Sequence, residues 1–215
     1  DIILKTDNKP IYKFDIYADR EKVTNFKGKK AIEITIPYKL ADGEDPNKIV
    51  AYYINDEGSL EVVKNSIYNA ESESVTFTID HLSLYTAKQA SVSFKDVKQD
   101  SWSRQYIDSL AAREIILGKT PEMFDPLENV TRAEFITLIM RTLDLLNNPA
   151  EEDFDDVRKG DWCYDAVSSA KKLGIVSGIG NNKFGKDLYI TRQDMVVMLN
   201  NAIKAANIQI TSEIE

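Results

Sequence analysis

The 215-residue chain has a single cysteine, Cys163, and a single histidine, His81. A lone cysteine closes no intrachain disulfide. One Cys and one His make no zinc set, and the two are too far apart in sequence to read as a nucleophile and its base. No run of about 18 apolar residues is present, so no segment reads as a transmembrane helix. An excess of positive charge is also missing. Lys and Arg total 27 against 35 Asp and Glu, for a net charge of −8 and a pI near 4.9. Nucleic acid is therefore not expected as a partner, and an anionic ligand would need a local cationic site. The opening Asp1-Ile2-Ile3-Leu4-Lys5 shows neither an initiator Met nor a signal-peptide pattern. We read the sequence as a piece of a longer protein, and no cofactor or metal is expected.

Two hydrophobic periods divide what remains. Residues 1–90 alternate as strands do: Ile11 to Tyr17, Ala31 to Pro37, Ile49 to Ile54 (a fuller apolar run) and Val75 to Ile79. Turn signals separate them, at Lys27-Gly28-Lys29, Ala41 to Pro46 and Asn55 to Gly58. The expectation is a small antiparallel β-sandwich. From residue 91 the period becomes helical, with candidate helices around Tyr106–Ala112, Phe135–Met140 and Met195–Leu199.

The helical half is a duplication. Phe94-Lys95-Asp96-Val97 returns as Phe154-Asp155-Asp156-Val157, an offset of 154 − 94 = 60 residues. The same offset pairs Trp102 with Trp162, Ile115 with Ile175, Gly118 with Gly178, Phe124 with Phe184 and Thr131-Arg132 with Thr191-Arg192. Each copy reads as loop, helix, loop, helix. A unit this small cannot bury its apolar faces alone, so neighbours must stack. Two copies are expected to leave a helix face uncovered, for the β-domain or a second chain to cover.

The order Phe-x-Asp-Val, Trp, Gly, Phe, Thr-Arg-x-Glu/Asp resembles the S-layer homology repeat over roughly residues 91–208. The fold class expected is α+β multidomain, with boundaries at 1–90 for the β-sandwich, 91–150 and 151–208 for two all-α repeats, and 209–215 for a tail. The resemblance implies an extracellular bacterial location at the cell wall or S-layer. It implies non-covalent, non-catalytic anchoring to an anionic secondary cell-wall polysaccharide, often bearing pyruvate ketals. Family members usually carry three repeats in a pseudo-threefold spindle, whereas two are present here. Two other readings stay open: part of a secreted glycan hydrolase, or a module for protein–protein assembly, including with itself.

Several residues have both a structural and a binding reading. Thr131 with Glu134, and Thr191 with Asp194, have the spacing of helix capping boxes. Arg132 and Arg192 would then sit at the first helical position, where a cation is mildly unfavourable. A cation there twice suggests a carboxylate site shared with the helix N-terminus; pairing with Asp96 or Asp156 is the alternative. On the first reading, removing Arg132 should leave stability unchanged or slightly raised, unless a buried carboxylate holds it. Asp96 and Asp156 either accept sugar hydroxyls or cap local turns. Trp102 and Trp162 either stack on sugar rings or belong to the core. Gly118 and Gly178 either end the first helix of each repeat with positive φ or let a ligand approach the backbone. Phe94, Phe124, Phe154 and Phe184 are expected in the core, and Cys163 as a small packing residue. The sequon Asn129-Val130-Thr131 coincides with the expected cap, which disfavours a glycan there.

Overall fold

The computed structural model describes residues 5–23, 32–79, 81–146 and 153–209. The Lys27-Gly28-Lys29 turn and residues 210–215 of the expected tail lie outside them. The architecture is α+β, with antiparallel sheets first and four helices after them. By internal contact the chain divides into a unit spanning Asp1–Pro126 and a second spanning Leu127–Glu215. The first duplicated copy therefore contributes its first helix to one unit and its second helix to the other.

In the first unit the strands are β1 (Tyr12–Lys13), β2 (Ile16–Ala18), β3 (Glu21–Val23), β4 (Ile32–Pro37), β5 (Ile49–Ile54), β6 (Leu60–Val63), β7 (Ile67–Asn69), β8 (Ser74–Ile79) and β9 (Leu84–Gln89). They pair antiparallel in the orders β1-β9-β5-β6 and β4-β8-β7, with β2-β3 as a separate hairpin. One hydrophobic cluster draws on both larger sheets. Ile36, Val75, Phe77 and Ile79 meet Ile49, Ala51, Tyr85 and Ala87.

The apolar run in β5 has a physical reason. Ile49 and Ala51 face that cluster, while Val50 and Tyr52 pack on Ala90 and Ala112. A strand buried on both faces loses the alternation of a half-exposed one. Sequence pattern merged β1 and β2 into one strand at 11–17. The chain instead leaves the first sheet and turns back at Asp19-Arg20, both at positive φ (49° and 73°), as two-residue hairpin turns require. Strands β3, β6, β7 and β9 were not legible beforehand, since they are short or interrupted by polar residues.

Helix α1 (Arg104–Ala112) packs in this same unit, against the short 3-10 turn Pro46–Lys48. Its Asp108 is buried beside Arg104 Nε (3.2 Å) and Lys48 Nζ (3.5 Å). Just past its end, Arg113 donates to Ser66 O through Nε (3.0 Å) and Nη2 (2.9 Å). It also donates to Asn47 O (3.3 Å) and Ser109 O (2.8 Å). These bonds tie the first helix of the duplication to the β-region.

The second unit holds α2 (Arg132–Thr142), α3 (Tyr164–Lys172) and α4 (Arg192–Ala205). Ala133, Ile136 and Met140 of α2 share a core with Ala166, Val167 and Ala170 of α3, and with Met198 and Ala202 of α4. The alanines on α3 leave room for the larger side chains of α2.

All four helices end alike. Glu114, Asp144, Gly174 and Asn207 take positive φ. The following N–H groups of Ile115, Leu145, Ile175 and Ile208 donate back to Leu110, Met140, Ala170 and Ile203. This is the Schellman arrangement, with an apolar residue at its end. It corrects the expected role of Gly118 and Gly178, which lie four residues beyond these stops. Replacing Arg113 by Ala strips donors from three carbonyls, two of them in the β-region. We expect a loss of roughly 1.5–3 kcal/mol, partly restored by Lys, as read from urea unfolding of the whole chain.

Candidate functional site

Each copy begins with a loop held by an aspartate. Asp96 accepts from the N–H of Phe124 (2.9 Å) and Asp125 (2.6 Å). Asp156 accepts from Phe184 (2.7 Å), Gly185 (2.7 Å) and Lys186 (3.4 Å). The Phe124 N–H, and then that of Asp125, draw the Asp96 carboxyl below its usual range. For Asp156 burial alone would push it up, but the three backbone donors outweigh that and it too is lowered. Both carboxylates face their own chain, so the turn-capping reading describes their geometry.

Above each clamp two phenylalanines pair, Phe94 with Phe124 (5.5 Å between centroids) and Phe154 with Phe184 (5.6 Å). The glycines serve this packing. A Cβ on Gly118 would stand 2.6 Å from Met123 O and 2.6 Å from the Phe94 ring, and one on Gly178 2.6 Å from Lys183 O. Gly118 has positive φ (75°) and Gly178 does not, so close approach is the constraint common to both.

The tryptophans stand outside this core. Trp102 is 83% exposed and Trp162 63%, each just before the first helix of its copy. Trp102 has an edge contact with Tyr106 at 6.4 Å. Cys163, beside Trp162, is fully buried, and burial pushes its thiol pKa up.

The two arginines differ. Thr131 forms a complete capping box with Glu134. Thr191 accepts from Asp194 N (3.1 Å), but the Asp194 carboxylate reaches only the Thr191 hydroxyl (2.9 Å). That carboxylate is what Arg132 meets: Nη1 lies 2.9 Å from Asp194 Oδ2. Arg132 Nε donates to Phe184 O (3.0 Å) and Nη2 to Ser177 O (3.3 Å), and the guanidinium lies 5.0 Å from the Phe184 ring centroid. Arg132 is only 4% exposed.

The helix start expected to bind an anion is also occupied by the chain itself. Arg132 N donates to Leu188 O (2.8 Å) and Ala133 N to Lys186 O (3.2 Å). The partner of Arg132 is thus Asp194, not Asp96 or Asp156. Sequence reading missed it because Asp194 was assigned wholly to capping. Arg192, by contrast, is exposed and has no ion-pair partner among the described residues. Lys186 and Asp161 form a half-buried pair nearby in the second copy (2.7 Å). No helix among the described residues is long and apolar enough to cross a membrane.

A duplicated loop–helix unit with an aspartate clamp, a paired-phenylalanine core and an exposed tryptophan defines the class of module. The family model for the S-layer homology domain matches residues 93–136 and 153–196, and the chain carries two S-layer homology repeats. It is 34% identical to an amylopullulanase of Thermoanaerobacterium thermosulfurigenes over 173 residues, covering 80% of this chain and 9% of that protein. It is 40% identical to an exoglucanase of Acetivibrio thermocellus over 105 residues, 49% of this chain and 10% of that one. It is 31% identical to an S-layer protein of Bacillus anthracis over 116 residues, 54% of this chain and 14% of that one. The chain thus spans about a tenth of these relatives. The repeats and the S-layer relatives place it at the bacterial cell surface.

Arg132→Ala should destabilise rather than stabilise, contrary to the dipole argument alone. It leaves Asp194 and two carbonyls without their cation, a cost of roughly 1.5–3 kcal/mol, of which Lys recovers only part. Thermal and urea melts check this. Asp96, Asp156 and Asp194 all have lowered pKa values, Asp194 first through the Thr191 hydroxyl and then through Arg132. Their stabilisation is fully present above the unfolded-state carboxyl pKa of about 3.9. It is lost as pH falls through the lower folded values. Asp156→Asn should flatten that acid limb in melts followed by circular dichroism.

Proposed function

We propose that this chain is a non-catalytic anchor. It attaches a larger surface protein to the wall by binding an anionic, pyruvate-ketal-bearing secondary cell-wall polysaccharide. In this reading residues 1–90 are a β-sandwich that carries and packs the repeats, which occupy 91–150 and 151–208. The observation that carries the proposal is the pair of exposed tryptophans at matching positions of the two repeats. Large aromatic faces left in water at the same place in both repeats suit stacking on sugar rings.

Arg192 supplies the free guanidinium for a ketal carboxylate, which it can hold through two parallel bonds. Arg132 would have to exchange Asp194 for the ligand, so we assign it the weaker share. Asp96 and Asp156 shape the groove walls from behind, and Gly118 and Gly178 let those walls close up.

The test is retention of the purified chain on cell walls before and after chemical removal of the secondary polymer, with titration of a pyruvylated glycan fragment. Arg192→Ala should weaken binding by roughly tenfold to a hundredfold, the equivalent of one charge-assisted hydrogen bond of about 1.5–3 kcal/mol. Trp102→Ala and Trp162→Ala should each weaken it with unchanged melting temperature, since neither ring is in the core. Equal retention on stripped walls, or full affinity when Arg192→Ala, Trp102→Ala and Trp162→Ala are combined, would sink this assignment.

A further inference from the structure

We infer that copies of this chain associate head to tail by using the α2–α3 interface a second time. In this contact α4 of one copy stands where α2 stands, and α1 of the next copy stands where α3 stands. The duplication makes the comparison residue by residue, and both halves of that interface are open at the corresponding positions.

The donor half is the second helix. On α2, Ala133, Ile136, Thr137, Ile139 and Met140 are buried, with Ile136 at 0% exposure. Their counterparts on α4 are Gln193, Val196, Val197, Leu199 and Asn200, all exposed, with Val196 at 68%. Met198 and Ala202 show that α4 does have a buried side, and that it is a different one. The N–H groups of Arg132 and Ala133 are taken by carbonyls of the next repeat, as is the guanidinium. No such acceptor meets Arg192 among the described residues.

The acceptor half is the first helix and the loop after it. Ala166 and Ala170 of α3 are buried, at 2% and 0%. Their counterparts on α1, Tyr106 and Leu110, are 58% and 39% exposed. The β-region covers a different side of α1, through Asp108 and Ala112. Ser177 O and Phe184 O receive Arg132; their counterparts are the carbonyls of Leu117 and Phe124, which take no donor from the described residues. Phe184 is fully buried and Phe124 only half so.

Side-chain size supports pairing these two faces. From α2 to α4 Ile136 becomes the smaller Val196 and Met140 the smaller Asn200, while Ala133 becomes the larger Gln193 at the helix start. From α3 to α1 the contact residues grow, Ala166 to Tyr106 and Ala170 to Leu110. At Val196 and Asn200 the changes run opposite to those on α1, so the larger α1 side chains would meet smaller ones on α4. The contact is heterologous, since the two surfaces differ. It does not depend on glycan binding.

The test is sedimentation velocity and light scattering on the 215-residue chain, without glycan, from about 1 µM to about 100 µM, the range expected of a modest interface. Association should rise with concentration. Val196→Asp and Tyr106→Asp each change an exposed side chain, so melts should stay near wild type, while self-association falls by roughly tenfold or more. Mixing the two variants should restore a dimer, because one copy keeps the acceptor face and the other the donor face. A single monomeric species throughout, as when a further repeat outside this chain is the natural cover of α4, overturns the inference. So does association that survives both substitutions, or a mixture that fails to recover.

Discussion

The guanidinium of Arg132 sits where one repeat meets the next, and the order of the second unit follows from what it needs. A guanidinium cannot shed its charge on burial, so it must find acceptors. Two of them, Phe184 O and Ser177 O, belong to the loop of the following repeat, and the third is the Asp194 carboxylate. Those carbonyls point the right way only if that loop keeps its turn. The turn is held by Asp156 on three consecutive N–H groups, and by a glycine at 178 that admits the backbone of Lys183. The start of α2, the loop and the first turn of α4 are thus one connected polar network over the apolar core. Networks of this kind fix a single geometry when every member is satisfied.

The same requirement explains why a shared motif carries different duties. Thr-Arg occurs at 131–132 and again at 191–192, and both threonines cap their helices. Yet one arginine is interior and the other faces water. Nothing in the local sequence differs enough to decide this. Burial of the arginine is set by the unit that follows, so it is a property of stacking and not of the motif.

That is also the limit of what the sequence revealed. The 60-residue duplication, the helix positions, the capping box at Thr131–Glu134 and the change from β to α near Gln89 were legible, because periodicity and capping are local. The strands at 21–23, 60–63, 67–69 and 84–89 were not, since pairing rather than pattern creates them. The carboxylate beside Arg132 is Asp194, whereas the alternative to a ligand role named Asp96 or Asp156. Those residues recur in the repeat and attract attention, while Asp194 already had a role as a cap. The helix stops were sought at the repeated glycines. They fall at Glu114 and Gly174 instead, and the usable signal was the apolar residue after each, Ile115 and Ile175.

The exposed Arg192 is claimed by both proposals, and the claims compete for its donors. A guanidinium that donates Nε and Nη2 to Phe124 O and Leu117 O of a second copy, as Arg132 does to their counterparts, keeps only Nη1 for a ketal carboxylate, the place that Asp194 takes on Arg132. Equilibria that compete for one group are linked, so whatever glycan gains at Arg192 it takes from association, by the same factor in both directions. Trp102 belongs to the same contest, since its ring touches Tyr106 on the face offered to a neighbouring copy. Trp162 does not, because the helix it precedes is already covered by α2. On wall-bound protein the second tryptophan would therefore remain a sugar platform in either state. The arginine and the first tryptophan would report which state the chain is in.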